Sequence, residues 1–175
     1  AYPSALLDVH FVHEGMEHPL VKAFLDKVEQ DEIIPTVPPV PNTDLADYYK
    51  LIVRRFSNPK IGDTISRLCL DGSNRQPKFI IPPINDRLKA AKSVTGYCYG
   101  TTDSGKVTPP NDPNWDRLQA TARLAKDRPD AWLEMSDIYG DIAKSGVFRE
   151  SFAKALNALW KDGTAATLTA YIAGK

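Results

Sequence analysis

Several things are scarce in this 175-residue chain, and each shortage excludes something. It has two cysteines, Cys69 and Cys98, too few for a disulfide framework. The plain reading is two buried thiols in a reducing, cytoplasmic setting. No apolar run approaches the ~20 residues of a membrane-spanning helix, so a membrane is not an expected partner. Lys+Arg and Asp+Glu both number 22 and cancel, so overall charge gives no reason to expect a nucleic-acid partner. Catalytic signatures are missing too: there is no Gly-x-Ser-x-Gly, no P-loop and no Gly-x-Gly-x-x-Gly. Tyr99–Lys106 carries glycines at the wrong spacing for phosphate and reads as a surface turn.

Metal chemistry is equally poorly supplied. His10 and His13 are three apart, which places them on one helix face but not at the four-residue spacing of metalloproteases. No cysteine lies close in sequence to complete a zinc set, so no metal site is expected. The start of the chain has no initiator Met and no basic-then-apolar leader. Ala1–Leu7 reads as the middle of a structural element, and the expectation is the C-terminal part of a longer protein.

What is present is helical periodicity. Phe148, Phe152, Ala155, Leu156, Leu159 and Trp160 form one apolar stripe between Gly146 and Gly163, and Thr164 opens a last short helix through Tyr171. Leu45, Tyr48, Tyr49, Ile52, Val53 and Phe56 form another, capped by Asn42 or Thr43 and stopped before Asn58-Pro59. Ile84, Leu88, Ala91 and Thr95 predict a third, with Asn85 and Asp86 in its first turn. Trp115–Ala125 predicts a fourth, and His18-Pro19 opens a fifth running to about Ile33. Of fourteen prolines, nine cluster at 35–41, 82–83 and 109–113, as rigid connectors. Strand alternation is scarce; Lys78–Ile81 is the best short candidate and is ambiguous. The expected fold is all-α, a multi-helical single domain over residues 1–175 with roughly eight helices around one core.

Charge is unevenly placed within the neutral total. Residues 50–92 hold ten basic residues against Asp63, Asp71 and Asp86, a local +7 that leaves −7 elsewhere. Inside that window Asp71-Gly72-Ser73-Asn74 is turn chemistry, preceded by Arg67 and followed by Arg75 and Lys78. Such a turn can aim a guanidinium fork and a compact ammonium at one point, which suits a carboxylate, a phosphate or a polyhydroxylated ligand. The bland alternative is a loop tied down by structural ion pairs.

The segments Arg55-Phe56-Ser57-Asn58-Pro59-Lys60-Ile61-Gly62-Asp63-Thr64 and Arg67-Leu68-Cys69-Leu70-Asp71-Gly72-Ser73-Asn74-Arg75-Gln76-Pro77-Lys78-Phe79 closely resemble the polyol-specific long-chain dehydrogenases. Val9-x-x-Val12-His13-Glu14 and Asn85-Asp86-Arg87-Leu88 are similar to the same family. The resemblance implies the helical, C-terminal substrate domain of a two-domain enzyme. The partner domain would be of Rossmann type and would hold NAD. It implies hydride transfer between D-mannitol and NAD, giving D-fructose, with no metal. No catalytic residue and no cofactor-binding residue is expected in this chain, because nothing in it matches the family's Lys general base with its Asn and His. The substrate-binding candidates are Arg67, Arg75 and Lys78, with Asn74 a weaker one; Arg55 is divided between a binding and a structural role. Anionic relatives of the substrate (fructuronate, tagaturonate or mannitol 1-phosphate) and a non-enzymatic helical module are the alternatives.

Overall fold

A computed structural model of the chain describes residues 1–96, 98 and 112–174. These are helical, with no strand among the described residues; an isolated antiparallel bridge joins Phe11 to Thr64. The expected turn at Tyr99–Lys106 and the prolines Pro109 and Pro110 lie outside the described residues.

Helices α1 (Tyr2–Leu6) and α2 (Val12–Glu17) lead into α3 (Pro19–Val28). Pro19 occupies the first position of α3, where its missing N–H has no helical partner to lose. The Nδ1 of His18 accepts the Val21 N–H at 3.5 Å. The path continues as a π-helical turn (Glu29–Ile33) and a 3-10 turn (Ile34–Thr36). Helix α4 (Leu45–Phe56) matches the predicted stripe, but its cap is Asp44, not Asn42 or Thr43. Asp44 Oδ1 accepts the Asp47 N–H at 2.9 Å, while Asn42 is spent on a left-handed turn (φ 57°).

Helices α5 (Ile65–Cys69) and α6 (Gly72–Arg75) precede a second π-helical turn, Gln76–Ile80, which runs into α7 (Ile81–Lys89). Lys78–Ile81 is therefore helical, not a strand. Pro77, Pro82 and Pro83 remove N–H groups a sheet ladder would need but a helix start does not. For the same reason α7 begins earlier than expected, with the proline pair in its first turn and Asn85-Asp86 in its middle. It stops at Ala90, and Ala91 turns left-handed (φ 53°), so Thr95 lies beyond it. His10 precedes α2 and does not share its face with His13. The two rings instead flank Phe11, His10 edge-on at 4.5 Å and His13 stacked at 5.5 Å.

The remainder is α8 (Trp115–Ala125), a 3-10 segment (Pro129–Glu134), α9 (Ser136–Tyr139), another 3-10 segment (Gly140–Lys144) and α10 (Gly146–Ile172). Gly163, at φ 79° and ψ 166°, breaks α10 where the sequence predicts a break. Phe148, Phe152, Ala155 and Leu156 of α10 meet Phe24, Ile84, Trp132, Ile138 and Tyr139 in the main core. A smaller apolar cluster, separate from it, holds Val12, Ile65 and Cys69 beneath Tyr2, Ala5, Val9 and Leu68. This second core, which the sequence does not predict, seats α5 and thereby the basic turn that follows. Both cysteines are buried and form no disulfide, and burial pushes the Cys98 thiol well above its ordinary value.

Candidate functional site

The start of α5 is stitched to the N-terminal helices by backbone. Val12 N–H donates to Asp63 O and Ile65 N–H to His10 O, each at 2.9 Å. Thr64 caps the helix, its Oγ1 accepting the Arg67 N–H at 3.2 Å. Four residues before Arg67, the carboxylate of Asp63 takes two of its guanidinium N–H groups, from Nε and Nη2. These hydrogen bonds from Arg67 hold the Asp63 carboxyl below the usual carboxylate range. The side chain of Asp63 is 11% exposed and that of Arg67 60%, so an inner acid anchors an outward-facing cation by one edge.

The bend itself is tightly built. Asp71 is left-handed (φ 58°, ψ 36°), a conformation that a short polar side chain tolerates. Its Oδ1 accepts the Asn74 Nδ2–H at 2.7 Å. Gly72 lies against Tyr2, where a Cβ would fall 1.8 Å from the phenolic oxygen. Asp112 clamps Ser73, accepting its backbone N–H at 2.7 Å and its hydroxyl at 2.6 Å. Asn114 Nδ2 donates to the same hydroxyl at 2.9 Å. Arg75 Nη1 reaches back to Leu68 O at 3.4 Å, folding the end of α6 over α5.

Beyond this clamp the surface is open. Lys78 is exposed, with no hydrogen bond or ion pair among the described residues, and it sits next to Phe79, which is 68% exposed. The fold thus brings Arg67 and Arg75 to one bend, with Lys78 three residues further on. It leaves Lys78 the freest of the three cations. Asn74 is engaged by Asp71. Arg55 stands apart on the last turn of α4, where its backbone carbonyl accepts the Asn58 N–H at 3.2 Å and its side chain makes no hydrogen bond or ion pair among the described residues. None of the cavities described is lined by Arg67, Asn74, Arg75 or Lys78.

Two contributors escape sequence reading. Asp112 and Asn114 act on Ser73 from about forty positions away, with no local signal. Asp63 was detectable from the four-residue acid-to-base spacing with Arg67. Among the described residues no group of three His, Cys, Asp or Glu side chains could hold a metal ion. No described helix is long and apolar enough to cross a membrane.

The sequence profile described as "Mannitol dehydrogenase C-terminal domain" matches residues 1–160. The chain belongs to that family. It is 54% identical to mannitol 2-dehydrogenase of Cereibacter sphaeroides over 99% of its own length, which is 38% of that relative. It is 34% identical to mannitol 2-dehydrogenase of Aspergillus clavatus, covering 98% of the chain and 36% of the relative. The mannitol dehydrogenase C-terminal domain therefore spans well under half the length of the curated relatives it matches. The solved ternary complex of Pseudomonas fluorescens mannitol 2-dehydrogenase with NAD and D-mannitol superposes with a TM-score of 0.90 at 28% identity, over 99% of this chain and 38% of that one. A substrate-free D-sorbitol dehydrogenase shares the fold, with a TM-score of 0.80 at 17% identity. Among the described residues there is no strand from which a βαβ dinucleotide-binding unit could be built, and the sequence has no Gly-x-Gly-x-x-Gly.

Proposed function

We propose that this chain is the substrate-holding domain of an NAD-dependent polyol dehydrogenase that interconverts D-mannitol and D-fructose. Residues 1–175 form one helical domain in this reading, and NAD, which exchanges the hydride, is held by a nucleotide-binding partner domain of the same protein. The observation that carries the reading is end-to-end similarity to mannitol 2-dehydrogenases, one of them solved with NAD and D-mannitol.

In this reading the bend is one wall of a cleft whose other wall lies outside the helical body. Lys78 donates to substrate hydroxyls, and Arg67 offers its remaining Nη1 while Asp63 fixes its aim. Arg75 supports the bend and adds positive charge, and Asn74 sits at the margin. Such contacts hold a flexible polyol in one register, and orientation of this kind supplies several kcal/mol of a barrier. The general base is not among these residues, so the domain positions substrate and leaves proton and hydride transfer to groups outside it. Two buried cysteines that form no disulfide accord with a cytoplasmic protein.

A second reading has a specific support: the local charge of +7 around these cations suits an anionic sugar acid or sugar phosphate as well. Assaying the full-length protein with D-mannitol, D-fructose, fructuronate and mannitol 1-phosphate separates the two. The highest kcat/KM for the mannitol–fructose pair is expected. A higher value for a uronate or a phosphate moves the assignment to the anionic branch.

A further inference from the structure

Helix α6 has no cap of its own. The residue before it, Asp71, is left-handed, and its Oδ1 takes the Asn74 side chain instead of a backbone N–H of the first turn. The acceptor comes from a distant part of the chain. Asp112, three residues before α8, takes the Ser73 N–H on Oδ2 at 2.7 Å and the Ser73 hydroxyl on Oδ1 at 2.6 Å. The same Oδ1 accepts the Asn114 N–H at 2.8 Å, so the carboxylate is itself held by the approach to α8. Ser73 is 4% exposed, and a buried N–H there needs a partner. A helix of four residues cannot fix its own direction, so α6 takes it from α8.

From Ser73 the chain runs directly into the π-helical turn Gln76–Ile80, which carries Lys78. Single π-helical turns are rare and weakly held, so such a turn follows its two ends. Its far end is anchored by Ile81 and Ile84 in the main core. Its near end follows the Ser73 clamp. Helix α9 packs on the turn from the side, and Arg117 of α8 grips Asp137 of α9 through two hydrogen bonds, at 2.7 and 2.6 Å. Helix α8 therefore reaches the neighbourhood of Lys78 twice, through Asp112 and through α9. We propose that Asp112 is a positioning residue for the polyol: without touching it, Asp112 caps α6 across the fold and thereby sets where Lys78 presents its ammonium group. The inference rests on the placement of the polyol at this bend. A 1 Å misplacement of a positioning group can cost about a hundredfold in rate, so a clamp on the backbone that carries Lys78 has leverage on turnover.

The test is a double-mutant cycle in the full-length protein, with D-mannitol and NAD kinetics of Asp112→Ala, Lys78→Ala and the double variant. Asp112→Ala is expected to lower kcat/KM for D-mannitol about tenfold through a raised KM for the polyol, with KM for NAD moved less than about twofold. In the Lys78→Ala background the same change should cost less than about twofold, because the group it aims is gone. Ser73→Ala keeps the backbone bond to Asp112 and loses the hydroxyl, so it should show a smaller fall with the same dependence on Lys78; it carries the test where Asp112→Ala does not fold. A loss of equal size with and without Lys78, a rise in KM for NAD matching that for D-mannitol, or unchanged kinetics overturns the positioning role while Lys78→Ala alone still impairs D-mannitol. Unchanged kinetics in Lys78→Ala itself removes the polyol from the bend, and this inference with it.

Discussion

Asp63 and Arg67 show how one residue can serve a neighbour. In the proposed cleft Asp63 is a positioning residue: it occupies two N–H groups of Arg67, from Nε and Nη2, and takes none from Nη1. Because its carboxyl is depressed in the folded protein, the pair stabilises the fold above the ordinary carboxylate pKa. That contribution is lost as pH falls through the lowered value. Asp63→Asn is expected to raise KM for polyol severalfold, the modest scale of an exposed ion pair, with KM for NAD unmoved. Steady-state kinetics with both substrates checks this. Glu29 runs in the opposite sense. Burial and the nearby Asp26 raise its carboxyl, so its stabilising contribution is present at acid pH and is lost as pH rises through the raised value. Thermal melts should therefore show the advantage of Glu29→Gln over wild type growing from pH 4 to pH 7.5; an advantage independent of pH would contradict the assignment. Gly96 is a third case: a Cβ there would lie 2.5 Å from Tyr171 Oη and 2.7 Å from Val28 Cγ2. Gly96→Ala should cost about 1–3 kcal/mol in denaturant unfolding, as overpacking does.

At the scale of elements, the sequence was most legible where a long stripe had a core to face. The Phe148–Trp160 periodicity predicts the first part of α10, and Gly163 marks its break, because an apolar face and a glycine act locally. Phe148 and Phe152 are fully buried, and Phe152→Ala should lower stability by about 3–5 kcal/mol. Equilibrium unfolding of the full-length protein reads that loss. The α4 stripe is equally periodic, yet none of it is fully buried: Leu45, Tyr49, Ile52 and Val53 are half-buried, and Tyr48 and Phe56 are 54% and 42% exposed. Periodicity reports that a helix has an apolar side, not how completely it is covered. The edges of elements were the least legible. Asp44 took the cap from Asn42 and Thr43 because the chain reserved Asn42 for a left-handed turn. The proline pair moved the start of α7 by three residues, since prolines open helices more readily than they connect them. The short second core under α5 was invisible because its residues come from α1, α2 and α5, each too brief to show a period.

For the whole molecule, the substrate-binding candidates were legible as a cluster in sequence, whereas their supports at Ser73 were not, because Asp112 and Asn114 reach them only through the fold. Large apolar side chains exposed between Ile33 and Phe79 include Val37, Val40, Phe56, Ile61 and Leu70, the stretch that also holds much of the basic window. A surface at once apolar and positive is a poor solvent face and a good wall for a cleft completed by further protein. The relatives supply the scale, since the chain covers 38% of the Cereibacter sphaeroides enzyme. The most direct measurement is the kinetics of Lys78→Ala in the full-length protein. The expected outcome is a fall in kcat/KM for D-mannitol of about ten- to a hundredfold, the loss of a hydrogen bond from a charged group, with KM for NAD changed by less than about twofold. Unchanged kinetics for both substrates would contradict the placement of the polyol at this bend.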